Sequence, residues 1–396
     1  MSKILRFPWA HALLAGWAIT WSAAPLCGQT SGLAENPPMG WNDWYQYGCQ
    51  VSDQIVRANA SAMVKSGMKA AGYTYVNIDD CWQGQRDAKG FIHPNDRFAN
   101  MKELGDYIHS LGLKFGIYSS PGPKTCAGYE GSYGHEQQDA DTYAGWGVDF
   151  LKYDWCSASK VYQPDQMQAA YRKMYEAIRS TGRPMVFSLC QYGLETVWRW
   201  GASVGGNMWR TTDDIGGDYN RVSLFGFQQN GLAKFAVHGH WNDPDILQVG
   251  LGHLNHEEQL TQMSLWCLLA APLLAGNDLT KMTEETLQIL TNPEVLAVDQ
   301  DPDGVQGYRV SQEGPLEIWA KPLSGNAILV GLFNRSESAV RMEIPFKALG
   351  MNGPLQGRDL WQRKDLGVLQ EHFFDEVPRH GVVLIKLKAS SGKSGS

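Results

Sequence analysis

Between residues 39 and 275 the chain carries eight short apolar runs, the first five separated by longer stretches of helical period. The runs are 39–42, 73–78, 114–118, 148–153, 185–189, 206–210, 234–238 and 272–275, and the helical stretches are 56–71, 104–111, 137–146 and 167–180. Apolar strands alternating with helices demand a parallel sheet, because each crossover brings the chain back to start the next strand at the same end. Eight repeats predict closure into a (β/α)8 TIM barrel, an α/β fold whose site is built at the carboxyl ends of the strands. An open, doubly wound sheet is the competing arrangement. No run leads into GxGxxG or a phosphate loop, so no nucleotide site is signalled.

Beyond about residue 299 the period changes. Runs at 306–310, 316–320, 327–332, 340–344 and 381–387 alternate with period two between Gly, Asn and Ser turns, which predicts a C-terminal antiparallel β-sandwich. At the other end, Lys3 and Arg6 precede an apolar stretch over 10–21, and Ser22, Ala23 and Ala24 offer small residues to a signal peptidase. That stretch is too short to span a bilayer comfortably. The expected division of the 396 residues is a signal peptide over 1–24, a barrel over 25–299, the β domain over 300–389 and a disordered Ser/Gly-rich tail over 390–396. The mature protein is expected in the periplasm or outside the cell, with no membrane span. Cys27 follows Pro25 and Leu26, a poor fit to the small residues expected before a lipidated cysteine.

A net charge of -7 without any Lys/Arg run argues against a nucleic-acid partner. The 15 Trp and 16 Tyr are more polar-tipped rings than a core readily absorbs, since each N–H and O–H needs a partner, so part of this load is expected to stack on a ligand. Trp41, Trp44, Trp82, Trp155, Trp209 and Trp241 all fall at or just beyond the ends of runs. Six cysteines follow Cys27, none in CxxC spacing; export permits disulfides, and the sequence alone allows 15 full pairings.

Carboxylates at run ends carry the chemistry. Asp154 ends the fourth run in LKYDWC (151–156), and Asp213 and Asp214 follow the sixth in WRTTDD (209–214). On loops of one barrel face with a single strand between them, two carboxyl groups can face each other across a ligand, the minimum equipment for cleaving a glycosidic bond. A single rim Asp could instead cap the next helix.

The series MGWNDW (39–44), NIDDCW (77–82), GIYSSPGPKTCAG (116–128), DFLKYDWC (149–156), WRTTDDI (209–215), WNDPD (241–245) and APLLAGNDL (271–279) resembles glycoside hydrolase family 27. Its typical members are retaining α-galactosidases, with α-N-acetylgalactosaminidases and a few other α-glycosidases beside them. The resemblance runs from about residue 38 to residue 307. It implies Asp154 as nucleophile and Asp214 as general acid/base, with an α-galactoside as substrate and no cofactor. It further implies that Asp79 and Asp80 hold the 4- and 6-hydroxyls, that Lys152 and Arg210 bind other hydroxyls, and that Trp44 and Tyr118 contact the ring. Cys126 and Cys156 match a disulfide beside the site, leaving Cys126 in contact with substrate, and Cys49 and Cys81 match a second. Cys190 and Cys267 are left as buried thiols. One departure stands out: where the family's galactosidases commonly carry Glu to read the sugar 2-position, this chain has Gln191, which still donates and accepts hydrogen bonds.

Three other triplets stand out in the sequence. His238-Gly239-His240 would suit a metal-dependent hydrolase, but it falls on the seventh run rather than the first, so no metal is expected. Asn59-Ala60-Ser61 and Asn334-Arg335-Ser336 fit the glycosylation pattern. A galactose-binding protein without catalysis is the reading from a different class; it would keep Trp44, Asp79 and Asp80 but would not need both Asp154 and Asp214.

Overall fold

The computed structural model describes residues 32–389; the expected signal peptide, Cys27 and the tail over 390–396 lie outside the described residues. Eight parallel strands form one sheet: β1 Met39–Asn42, β2 Tyr75–Asn77, β3 Lys114–Ser119, β4 Phe150–Asp154, β5 Val186–Cys190, β6 Met208–Arg210, β7 Trp241–Asp243 and β8 Leu273–Ala275. Neighbours run in sequence order from β1 to β7, with β8 beside β1. The last seam closes just past β7, where Leu247 bridges to Ala275 and its N–H donates to Leu274 O at 2.9 Å. The result is the (β/α)8 barrel.

Strand period two explains how these short runs serve both layers. Tyr75, Phe150, Val186, Met208, Trp241 and Leu274, from six different strands, pack together inside the barrel. Their outward neighbours Val76, Leu151, Phe187 and Trp209 join the larger core beneath the helices. These helices are α1 Asp53–Lys65, α2 Met101–Ser110, α3 Glu136–Trp146, α4 Met167–Ser180, α5 Tyr219–Phe227, α6 His256–Leu268, α7 Glu284–Thr291 and α8 Pro293–Asp299. Between β5 and β6 two short 3-10 turns replace a helix. Gly116 on β3 has no latitude: a Cβ there would lie 1.9 Å from Asn77 Oδ1.

The seventh strand differs from expectation. Residues 234–238 are not a strand; they begin inside a 3-10 turn, Ala233–Phe235, and Val237 pairs with His240 across Gly239 at φ +80°. The chain reverses there, and the strand is the polar triplet Trp241–Asp243 that follows.

The C-terminal part has eight strands: β9 Tyr308–Glu313, β10 Leu316–Leu323, β11 Ala327–Asn334, β12 Val340–Pro345, β13 Leu355–Asp359, β14 Lys364–Leu369, β15 His372–Val377 and β16 Val382–Ala389. A six-stranded antiparallel sheet, β9-β10-β11-β16-β13-β14, faces the pair β12-β15 across Ile318, Val330, Ile344, Phe373 and Ile385, which makes a sandwich. The sequence pattern missed β13, β14 and β15, whose charged residues and glycines break the alternation. The outer face of the large sheet packs on the barrel: Phe227 of α5 meets Trp319 and Phe333 at 6.0 and 5.2 Å between ring centroids.

Both glycosylation triplets are structural. Asn59 is buried and caps backbone with both ends, donating to Ile55 O and accepting from Leu279 N. Asn334 is likewise buried, donating to Val377 O and Pro378 O. Neither amide is free for a glycan.

Candidate active site

The inward face of each strand that is apolar at the barrel floor turns polar at its carboxyl end. On β4 the sequence Phe150, Lys152, Asp154 climbs one face in steps of two; on β6 Met208 is followed by Arg210, and beyond β2 Tyr75 and Asn77 lead to Asp79. These side chains meet in an open pocket lined by Trp44, Tyr45, Asp79, Asp80, Tyr118, Cys126, Lys152, Asp154, Tyr192, Arg210, Asp214, Asp245 and Ile246. Five carboxylates against two cations make this a poor site for an anion and a suitable one for a ligand rich in hydroxyl donors.

Asp79 is the centre of one network. Its Oδ2 accepts from Asn42 Nδ2 and from Lys152 Nζ, both at 2.8 Å, and its own N–H donates to Asp43 Oδ1 at 2.6 Å. Asp43 is wholly buried behind it, and burial together with the Asp79 charge raises its pKa well above the carboxylate range. Asp80 accepts from Cys81 N–H at 2.7 Å and from Ala127 N–H at 2.8 Å; burial raises its pKa against those hydrogen bonds.

Asp154 has two unlike oxygens. Oδ1 accepts from the Tyr192 hydroxyl at 2.5 Å, while Oδ2 stands 4.0 Å from Lys152 Nζ and makes no hydrogen bond among the described residues. Burial pushes its pKa up to about 6, opposed by Lys152 and by the Tyr192 hydroxyl. Asp214 contrasts with it: its side chain is 57% exposed, and it is held by Arg210 at 3.1 Å. A dry carboxylate and a wet one share the pocket.

The loop after β7 orders the second of these. Asp245, buried at φ +92°, accepts from the Tyr45 hydroxyl at 2.6 Å and from Ile215 N–H at 2.8 Å, and pairs with Arg210 at 3.1 Å. It therefore ties the loop that carries Asp214 to the cation that holds its carboxylate.

Disulfides join Cys126 to Cys156 and Cys49 to Cys81, and Cys190 and Cys267 are buried thiols. With Asp154 the two sulfurs of the first disulfide form a cluster of metal-ligand type, but sulfur in a disulfide is no thiolate and offers a metal little. His238 and His240 do not converge: Nδ1 of the first meets Glu35 O and Nδ1 of the second meets Gly206 O.

Of the residues singled out from the sequence, Trp44, Asp79, Asp80, Tyr118, Cys126, Lys152, Asp154, Arg210 and Asp214 all line the pocket. Gln191 does not. It is fully buried, its Oε1 accepts from Gly193 N–H at 2.7 Å, and the wall there is made by Tyr192. Tyr45, Tyr192 and Ile246 also line the pocket and were not expected there; Tyr192 follows Gln191 directly, and only its backbone conformation decides which of the two faces the cavity. The tryptophans divide as well. Trp41, Trp82, Trp209 and Trp241 are buried pins whose indole N–H groups donate to Asn277 O, Tyr118 O, Asn242 Oδ1 and Ala34 O, and only Trp44 of the strand-end set reaches the pocket.

Residues 36–301 match the family described as Alpha galactosidase A, and residues 313–387 match the Alpha galactosidase C-terminal beta sandwich domain. Alpha-galactosidase A of Cellvibrio japonicus is 43% identical over 379 residues, covering 90% of this chain and 92% of that one. The alpha-galactosidase of Cyamopsis tetragonoloba is 41% identical over 367 residues, covering 91% and 88%. The crystal structure of alpha-galactosidase I from Mortierella vinacea superposes with a TM-score of 0.86 at 35% identity, covering 90% of this chain and 98% of that one.

Proposed function

The chain belongs to the α-galactosidases of glycoside hydrolase family 27 and hydrolyses terminal α-linked galactose, and from that premise we propose that it does so with retention, Asp154 acting as nucleophile and Asp214 as general acid/base. The observation that carries this reading is the pairing of one buried carboxylate with one exposed carboxylate in a single hydroxyl-binding pocket. Asp154, ionised above about pH 6, attacks the anomeric carbon as the glycosidic C–O bond breaks and the leaving oxygen takes the Asp214 proton. Water then attacks the glycosyl ester, gives its proton to Asp214 and releases Asp154 as carboxylate. Asp79 and Asp80 take the glycone's 4- and 6-hydroxyls, Lys152 and Arg210 take neighbouring oxygens, and the Trp44 ring meets the apolar face of the sugar.

The test is hydrolysis of p-nitrophenyl α-D-galactopyranoside followed by NMR. The first product is expected to be α-galactose; β-galactose as first product would sink retention, and galactose binding without turnover would sink catalysis. Running the N-acetylgalactosaminide, β-L-arabinopyranoside and α-glucoside beside it defines the glycone. Asp154→Asn is expected to lose activity at least about 10⁴-fold while keeping the fold by circular dichroism; retained turnover would mean that the nucleophile lies elsewhere. We also place the mature chain outside the cytoplasm, from residue 25 onward, with the barrel ending near residue 299. The two disulfides and the basic, then apolar, segment over 3–21 support that placement.

A further inference from the structure

We propose that Tyr192 is the positioning residue of the attacking carboxylate: its hydroxyl holds Oδ1 of Asp154 and thereby leaves Oδ2 as the atom that bonds to the sugar. The inference rests on the assignment of Asp154 as nucleophile. Four observations carry it. The Tyr192 hydroxyl donates to Oδ1 at 2.5 Å, whereas Oδ2 accepts no hydrogen bond among the described residues. Tyr192 adopts φ +61°, a left-handed conformation that a tyrosine avoids unless its surroundings dictate it. Those surroundings are built for the purpose: Gln191 closes the turn onto Gly193 N–H at 2.7 Å, and Gly193, at φ +79°, packs so tightly that a Cβ would lie 2.4 Å from Thr211 O. Finally the phenol is locked laterally, 3.5 Å from each sulfur of the Cys126–Cys156 disulfide and with the Arg210 guanidinium 6.0 Å from its ring centroid.

The chemistry follows from which state of Asp154 the phenol favours. A charge-assisted hydrogen bond stabilises carboxylate more than ester. On attack, Oδ2 forms the C–O bond and Oδ1 becomes the ester carbonyl oxygen, so the bond to Tyr192 weakens. On hydrolysis of the ester the carboxylate is the leaving group, and the bond strengthens as it departs. The proton stays on the phenol throughout, because burial and the adjacent carboxylate raise the Tyr192 pKa far above the working range. Tyr192 therefore fixes the angle of the first step and assists the second.

The test is Tyr192→Phe. The groups that face Asp154, Lys152 from its own strand and Asp79, Asp214, Tyr118, Cys190 and Arg210 from other elements, remain in place, so the acid limb of the kcat/KM profile reports the missing donor. Loss of one hydrogen bond to a charged group is expected to lower kcat about 10- to 100-fold. The acid limb should move towards neutral pH, and KM should fall with a burst of p-nitrophenol as the glycosyl-enzyme accumulates. An acid limb left at the wild-type position overturns the proposal, whatever happens to kcat. Should the variant not fold, wild-type enzyme carrying ¹³Cζ-tyrosine decides instead: one tyrosine resonance must move as Asp154 ionises and stay still in Asp154→Asn, and the absence of any such resonance overturns the proposal. An active Asp154→Asn enzyme would instead defeat the nucleophile assignment, so the two failures are distinct.

Discussion

Asp154 shows at the scale of one residue how function strains stability. A pKa raised from 3.8 to about 6 means that the native state holds this proton more tightly than the unfolded chain does. The associated stability is fully present below about pH 4 and is lost as pH rises through 6, so at pH 7 the ionised carboxylate costs the fold roughly 3 kcal/mol as an upper figure. Asp154→Asn removes that charge. The inactive variant should therefore melt higher than wild type at pH 7.5, by a few degrees for about 1–3 kcal/mol, and the gap should close by pH 4. A lower melting temperature at pH 7.5 would show that the lost Tyr192 and Lys152 partners outweigh the relief of burial. With Asp154 as the proposed nucleophile the same titration sets the acid limb: kcat/KM should fall about tenfold per pH unit below 6, because the proposed attack needs the carboxylate. Asp154 and Asp214 were legible in the sequence because a strand period places them at strand ends beside Lys and Arg. The exchange of Gln191 for Tyr192 in the wall was not, because it turns on a positive φ that side-chain pattern does not encode.

At the scale of elements, the turn after β7 has more influence on Asp214, the proposed acid/base, than its distance in sequence suggests. Asp245 holds Arg210 on one side and Ile215 N–H, next to Asp214, on the other. Asp245→Asn keeps the shape but removes the charge that faces a wholly buried guanidinium, and truncating one partner of such a pair weakens what the other positions. Hydrolysis of a galactoside with a poor leaving group should fall at least about tenfold, whereas an activated aryl galactoside, which needs little protonation, should lose much less. Equal losses on both substrates would mean that Asp245 acts on glycone binding instead. The WNDPD motif made this turn visible, but its strand was misplaced by several residues. Val237 and its neighbours mimic a strand's alternation, whereas the real strand carries Trp, Asn and Asp, and only barrel closure through Leu247 explains why so polar a triplet is in the sheet. Strands β13 to β15 were lost for the converse reason: β14 lies at a sheet edge and β15 in a two-stranded sheet, where charges such as Lys364 and Asp365 erase the apolar period, and the interior β13 reads Leu-Gln-Gly-Arg-Asp.

For the whole molecule, the division into barrel and sandwich was legible from the change of period at about residue 299, but the seam between them was not, since it is made by residues that read as ordinary core. Trp319, Leu329, Phe333 and Leu384 of the sandwich belong to the same continuous core as Phe227, Leu265 and Val298 of the barrel. Lys321 crosses the seam, wholly buried, donating to Cys267 O at 3.0 Å and to Val298 O at 2.7 Å, near the ends of α6 and α8. One side chain from β10 thus reaches carbonyls in the last turns of two helices, and at Val298 O it is the donor. Asp299 lies in the same buried neighbourhood, its pKa raised by burial against the pull of Lys321, and burial lowers that of Lys321 in turn. Lys321→Met preserves the side-chain length and removes the donor, leaving Val298 O unsatisfied at about 1–3 kcal/mol, while Cys267 O keeps the Ala270 N–H at 3.2 Å. Because the core runs through the seam without a break, that loss cannot stay local: calorimetry should show one cooperative transition for the wild type and for Lys321→Met alike, the variant's displaced to lower temperature. Two separated transitions in the wild type would show that the sandwich is an independent unit. In that case a chain ending at residue 299 should fold and hydrolyse galactosides, whereas a shared core requires that chain to expose the Phe227 face and aggregate.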